Sequence, residues 1–306
     1  MKTRVYYGPS LGAYGFPSGH PFGSDRLEVF WRECQRRGLD KRVDIATPVA
    51  CGRDDLLRFH TETYINLVER LSATGYGALD DGDTPAFPGV YEAACTVVGS
   101  VLDSRCAQAF IPIAGLHHAR REGAAGFCAV NDIGVLIEWL RAEHRIQRIA
   151  YVDIDAHHGD GVFYGFASDP ALIFADIHED GRHLYPGTGT EDEIGVGDAK
   201  GTKLNLPLAP GADDAAFHAV WPRVEAFVRA GNPEFIILQA GADNVAGDPL
   251  THMRFSPAVH RHAATRLRAI AHEHCQSRFI AMGGGGYNRA NVAAAWCEVV
   301  EGMLEA

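Results

Sequence analysis

The chain has 306 residues, 46% of them hydrophobic, which is long and apolar enough to bury a sizeable core and excludes a disordered or fibrous polypeptide. Its 39 acidic against 28 basic side chains give a formal net charge of -11. That balance opposes binding to a phosphate backbone, where clustered Lys and Arg are the expected footprint, and suits cationic substrates or peptides.

The opening Met1 to Gly8 has no apolar core of a signal peptide. No later window reaches the roughly 18 consecutive apolar residues of a membrane span, so a cytoplasmic protein with neither membrane nor nucleic acid as partner is expected. Cysteines at Cys34, Cys51, Cys95, Cys106, Cys128, Cys275 and Cys297 form no C-x-x-C pair. An odd, scattered set argues against a zinc ribbon or a disulfide framework and for reduced, mostly buried thiols.

Taken in chain order, short apolar runs at Arg4 to Tyr7, Ala109 to Ala114, Arg148 to Asp153, Leu172 to Asp176, Glu234 to Gln239 and Arg278 to Met282 read as strands. Segments of helical period separate them. Ser24 is the expected cap of a helix whose Leu27, Phe30, Trp31 and Cys34 share a face and which Gly38 stops. Asn131 caps another through Ile137 and Leu140, and Ser256-Pro257 opens a third in the preferred cap-then-proline order. Strand-helix alternation over nearly the whole length predicts an α/β fold, a mostly parallel β-sheet with helices on both faces. With no internal repeat, low-complexity tract or linker, residues 1–306 read as one domain. The Gly-rich stretch from Ile177 to Gly211 reads as a long irregular loop on the rim of a site.

In such sheets the site lies beyond the carboxyl ends of the strands. Here one apolar run leads into His117-His118, a second into Asp153, a third into Asp243, and a fourth into Gly283-Gly-Gly-Gly-Tyr287. The richest of these is Tyr151-Val-Asp-Ile-Asp-Ala-His-His-Gly-Asp-Gly-Val162. If the extended chain continues past Val152, Asp153, Asp155 and His157 project to one side and Ile154 and Ala156 to the other. Buried carboxylates cost several kcal/mol unless paired or coordinated, so the cluster calls for a divalent metal.

Four segments, in order, resemble signatures of the zinc-dependent histone deacetylase family, including its bacterial deacetylase-like amidohydrolases. They are Gly115-Leu-His-His-Ala-Arg-Arg-Glu-Gly-Ala-Ala-Gly-Phe-Cys-Ala-Val-Asn-Asp132, Asp153-Ile-Asp-Ala-His-His-Gly-Asp-Gly161, Gln239-Ala-Gly-Ala-Asp243 and Gly283-Gly-Gly-Gly-Tyr-Asn288. Gly19-His-Pro21, Arg58-Phe-His-Thr-Glu-Thr-Tyr64 and Tyr185-Pro-Gly-Thr-Gly189 extend the likeness along the chain. The resemblance implies the arginase-deacetylase fold and one Zn2+ per chain, held by Asp155, His157 and Asp243 with positions left for water and a substrate carbonyl. It pairs His117 with Asp153 and His118 with Asp160, His118 serving as general base and then acid. It makes Tyr287 the donor to the developing oxyanion.

The same resemblance makes Phe127 and Tyr185 the aromatic walls of a narrow channel, with Gly126 and Gly285 sparing room, Asp83 at the rim and Arg26 lining the inner pocket where the small acid leaves. Leu250 stands where the acetylpolyamine-selective relatives carry a gatekeeper glutamate. Asp176 stands where many relatives supply a serine to an inner cation site, so a structural K+ or Na+ near Asp153, Asp155, His157 and Asp176 is a secondary expectation.

The implied substrate is an acylated lysine peptide or a small acylated amine, with homo-oligomerisation left open. An acetylpolyamine amidohydrolase is the nearest alternative; a dimanganese ureohydrolase and a non-catalytic relative stand further off. His20, His60, His158, His178 and His183 read as structural, and Cys128 as a buried thiol near the site rather than a nucleophile.

Overall fold

The computed structural model describes residues 3–17, 19–104 and 108–305. Cys106, one of the seven cysteines, lies outside them. The elements run β1 (Arg4–Tyr6), α1 (Pro9–Gly12), α2 (Arg26–Arg36), β2 (Asp44–Ala46), α3 (Arg53–Leu56), α4 (Glu62–Thr74), α5 (Val90–Asp103), β3 (Ala109–Ile111), α6 (Asp132–His144), β4 (Ile149–Asp153), α7 (Asp160–Gly165), β5 (Leu172–Glu179), β6 (Lys203–Leu208), α8 (Asp214–Ala230), β7 (Phe235–Gln239), α9 (Ala258–His274), β8 (Phe279–Met282) and α10 (Arg289–Leu304).

The strands form one eight-stranded sheet in the order β2-β1-β3-β8-β7-β4-β5-β6, and every pairing is parallel. Residues of β3, β4, β5, β7 and β8 are buried throughout, as strands covered on both faces require. The chain lays β1 to β3 on one side and β4 to β6 on the other, then inserts β8 and β7 between them. The register aligns Ile111 with Met282, Met282 with Gln239, and Gln239 with Asp153, so four adjacent strands end in one row. That row is the floor on which the four polar segments stand.

Several sequence expectations need correction. Both β2 and β6 were hidden: β2 is three residues, two of them exposed, and β6 starts on Lys203 inside the stretch expected to be loop. The irregular rim is therefore shorter than Ile177 to Gly211, because β5 runs to Glu179 and β6 occupies Lys203–Leu208. The helix expected to be capped by Ser24 starts at Arg26 with Asp25 in the cap position and no side-chain cap bond. Asn131 does cap α6, its side chain accepting from the Gly134 N–H at 2.8 Å. Among the described residues no helix is long and apolar enough to cross a membrane. The six described cysteines are free thiols, and all but Cys51 are buried.

Candidate active site

Strand β4 stops at Asp153, so Asp155 and His157 lie in the bend beyond it rather than on one face of a continuing strand. The bend is built by the carboxylates themselves. Asp153 Oδ1 accepts the Asp155 N–H at 2.9 Å, and Asp155 Oδ1 accepts the His157 N–H at 3.0 Å. Asp243 follows β7 and reaches across, its Oδ1 accepting the Ala156 N–H at 2.9 Å. The outer oxygen of Asp155 accepts from the Gln239 amide and the Gly285 N–H, both at 2.9 Å. What remains facing inward is Asp155 Oδ1, His157 Nδ1 and Asp243 Oδ2, with Nδ1 3.1 Å and 3.0 Å from the two oxygens.

One ligand atom from each of Asp155, His157 and Asp243 lies within 4.8 Å of the others, and all three residues are buried. Two carboxylates draw positive charge into this spot. Burial pushes the His157 imidazole down, but its hydrogen bonds to Asp155 and Asp243 outweigh that and raise it to about 10. Burial, then the charge of Asp155, pushes Asp243 up to about 7. Two oxygens and one imidazole nitrogen in a dry pocket form a donor set that fits a divalent ion with open coordination positions. Gly285 and Gly241 keep the pocket clear, since a Cβ on either would overlap the carboxylates of Asp155 or Asp243.

His117 and His118 come from the loop after β3. Asp132, at the start of α6, shapes that loop by accepting the N–H groups of Gly115 and Leu116, each at 2.8 Å. His117 Nδ1 lies 2.8 Å from Asp153 Oδ2, and His118 Nδ1 lies 2.7 Å from Asp160 Oδ1. The two rings are 4.0 Å apart, centre to centre. Burial pushes His118 down to about 4, reinforced by His117 and opposed by Asp160. Burial pushes Asp160 up, but its bond to His118 together with the charges of His118, His117 and His158 holds it below the usual carboxylate range. An ionised carboxylate only accepts, so Nδ1 of His118 carries the proton and Nε2 keeps its lone pair. Tyr151 donates to Asp153, whose carboxyl is pushed up by burial and by Asp176 and Asp155.

Aromatic rings surround this floor. Tyr185 sits 5.2 Å from the His118 ring, and Phe127 sits 5.7 Å from Tyr287. A Cβ on Gly126 would strike the His118 ring, so glycine is required for the wall to close this tightly. Tyr287 stays a phenol: burial, then the charges of Asp243 and Asp155, holds its hydroxyl well above the ordinary range. Beneath it, fully buried Arg26 lies 4.0 Å over the Phe22 ring and donates to the carbonyls of Gly286 at 2.9 Å and Gly284 at 2.5 Å. Its Nη1 has no hydrogen-bond partner among the described residues.

Asp83 and Leu250 stand further out. Asp83 lines a groove of about 860 Å³ with Asp80, Asp81, Arg120, Glu122 and Tyr185. Its carboxylate accepts from Thr84 at 3.1 Å, and burial, then Asp80, raises it to about 6. Leu250 is 38% exposed in a turn tied through Asp248 to the Tyr287 N–H at 2.8 Å. Asp176 has both oxygens engaged, by His178 Nδ1 at 2.7 Å and the Gly159 N–H at 2.9 Å.

Gln239, Tyr151, Tyr14, Asp132 and Asp248 carry no role in the sequence patterns described above. Gln239 and Asp132 lay inside quoted motifs, and their polarity beside a buried run was the available signal. Tyr14 accepts the Ala129 N–H at 2.7 Å and donates to the Phe127 carbonyl at 2.9 Å, a link no local pattern reveals.

A parallel α/β sheet that delivers a buried Asp-His-Asp group from adjacent strand ends has the arginase-deacetylase fold. The histone deacetylase domain model matches residues 20–303, and the chain belongs to the histone deacetylase family. It is 34% identical to the acetoin utilization protein AcuC of Bacillus subtilis, over 98% of this chain and 81% of that one. It is 31% identical to the histone deacetylase RPD3 of Saccharomyces cerevisiae, over 97% of this chain and 71% of the relative. The crystal structure of the HDA15 HD domain superposes with a TM-score of 0.89 at 25% identity, covering 99% of this chain and 89% of that one.

Proposed function

We propose that the chain is a cytoplasmic zinc-dependent amidohydrolase that removes acetyl or other short acyl groups from the terminal amine of lysine in peptides or proteins, or of small amines. The observation that carries this reading is the Asp155, His157 and Asp243 group, its ligand atoms within 4.8 Å of one another, beside two His-Asp pairs. Residues 1–306 act as one catalytic domain, a reading supported by the single sheet that joins both ends of the chain.

A zinc ion held by Asp155, His157 and Asp243 would supply Lewis acidity to the substrate carbonyl and acidify the attacking water. The chain's own residues do the rest. His118, whose Nδ1–H donates a hydrogen bond to Asp160, takes a proton from the water at Nε2 and later returns it to the leaving nitrogen. His117, backed by Asp153, holds the water in line. Tyr287 donates to the carbonyl oxygen as negative charge develops there. Phe127 and Tyr185, with Gly126 and Gly285 leaving room, clasp the aliphatic arm of the substrate, while Asp83 and Leu250 meet its outer part. Arg26, with a free N–H on Nη1, receives the small carboxylate product.

The acidic groove of Asp80, Asp81, Asp83 and Glu122 favours cationic substrates, so acetylated polyamines are the second reading. Turnover of an acetyl-lysine peptide and of acetylputrescine, before and after chelation and with zinc restored, tests both. Turnover that survives chelation, or an absence of turnover on every acylated amine with zinc present, overturns the proposal.

A further inference from the structure

Glu179, the last residue of β5, has a side chain wholly shielded from solvent. A buried carboxylate is costly unless hydrogen bonds satisfy it, and here both oxygens turn to one residue. Oε2 accepts the His252 main-chain N–H and Oε1 accepts from His252 Nδ1, each at 2.8 Å. The His252 ring is largely exposed, so it caps the acid from outside.

This pair closes a circuit of hydrogen bonds. The Glu179 N–H donates to the Ala156 carbonyl at 2.9 Å, and the Ala156 N–H donates to Asp243 Oδ1 at 2.9 Å. Asp243 begins the strap that runs on to His252, and the Thr251 hydroxyl donates back to the Asp243 carbonyl. Leu250 lies on that strap, its N–H held by Asp248 Oδ1 at 3.0 Å. Asp243 has anchors of its own, β7 before it and Ala156 across from it. The far end of the strap is held by Glu179 and by the Gly211 N–H, which donates to the His252 carbonyl at 3.0 Å. Of these two, only Glu179 belongs to the sheet.

We propose that Glu179 is a positioning residue: through His252 it sets the Leu250 turn at the channel mouth and so governs how tightly the outer part of the substrate is held. This rests on the contact with substrate assigned above to Leu250. The competing explanation is that the acid only satisfies a main-chain N–H. In that case its loss lowers stability and leaves KM alone.

The test uses the zinc-loaded full chain and an acetyl-lysine peptide, with Glu179→Ala, Glu179→Gln, Leu250→Ala and the double variant of Glu179→Ala with Leu250→Ala. Glu179→Ala should raise KM about tenfold with kcat within about twofold of wild type. Glu179→Gln, which keeps one acceptor, should fall between the two. Because Glu179 acts through Leu250, adding Glu179→Ala to Leu250→Ala should raise KM by less than about twofold more. Hydrogen exchange needs no turnover: the Leu250 and His252 amides should exchange faster in Glu179→Ala while those of β7 stay unchanged. Should Glu179→Ala fail to fold, His252→Ala opens the same circuit from the exposed side. An absence of turnover in wild type overturns the substrate reading, and the exchange rates then decide whether Glu179 holds the strap. Unchanged exchange, unchanged KM, additive effects in the double variant, or a fall in kcat with KM preserved overturns the proposal.

Discussion

Gln239 donates its side-chain amide to Asp155 Oδ2 at 2.9 Å, and its own orientation is set by the Gly241 N–H, which donates to Oε1 at 2.7 Å. Gln239 ends β7 in the row that also holds Asp153 and Met282, so a rigid central strand aims the carboxylate at His157. Outer partners of this kind typically contribute about 10- to 100-fold in metal affinity. Gln239→Leu, similar in size, is expected to weaken zinc binding by that factor while leaving the far-ultraviolet circular dichroism unchanged; competition with a chromogenic chelator measures it. Unchanged affinity would show that the bend after β4 holds Asp155 unaided.

Chelation also bears on stability. Asp155 and Asp243 are buried together, and with only His157 between them their repulsion is incompletely offset. A ligand that binds only the folded state adds about 2.7 kcal/mol at a hundred times its dissociation constant. Zinc at that excess should raise the unfolding midpoint by several degrees, as scanning calorimetry will read, and Asp243→Ala should abolish the increment.

The central architecture was legible because strands buried on both faces are continuous apolar runs, as in Phe235–Gln239 and Ile149–Asp153. The edges were not. In β2 the exposed Asp44 and Ile45 carry no buried pattern, and β6 is broken by Lys203 and Asn205, whose burial depends on partners far from them in sequence. The local motifs put Asp155, His157 and Asp243 next to strand ends, and the structure brings their ligand atoms together. It does so through a hydrogen-bonded bend rather than strand alternation, which periodicity cannot foresee. Tyr14 stands 113 positions before the Phe127 carbonyl it holds, and no spacing rule couples them.

Acid sensitivity follows from buried neutral imidazoles. His60 accepts the Asn131 N–H at Nε2 at 2.8 Å, and burial pushes it down to about 4 against an unfolded value near 6.5. Above pH 6.5 neither state binds the proton and the contribution is intact. Between pH 6.5 and 4 only the unfolded chain takes it up, so stability falls with pH across that window. His60→Gln, which can still accept from Asn131, should reduce the loss between pH 7 and pH 5 by about 2 kcal/mol. Denaturant melts at the two pH values measure the difference, and parallel losses in variant and wild type would refute the assignment.

The proposed role of Tyr287 as oxyanion donor can be told apart from a binding role. Its phenol is kept protonated by burial and by the charges of Asp243 and Asp155, so it is a donor throughout the neutral range. A donor used mainly in the transition state shows its effect in kcat. Tyr287→Phe should therefore lower kcat by about 10²- to 10³-fold with little change in affinity for an uncleavable substrate analogue. A rise in KM with kcat preserved would instead make the ring a wall of the channel and nothing more.

Phe127 adopts a left-handed backbone, φ 68°, which an aromatic residue holds only under constraint. The constraint comes from three sides: Thr84 Oγ1 accepts the Phe127 N–H at 3.1 Å, Tyr14 accepts from Ala129, and Tyr14 donates to the Phe127 carbonyl. Tyr14 is fully buried, so Tyr14→Phe leaves a donor and an acceptor without partners at a cost of about 1 to 3 kcal/mol. The wall formed by Phe127 should then loosen, raising KM for a long acyl-lysine peptide more than kcat falls. A double variant with Phe127→Gly, which relieves the left-handed strain, should regain stability without regaining KM. Recovery of both would mean that the ring itself contributes nothing to holding the substrate.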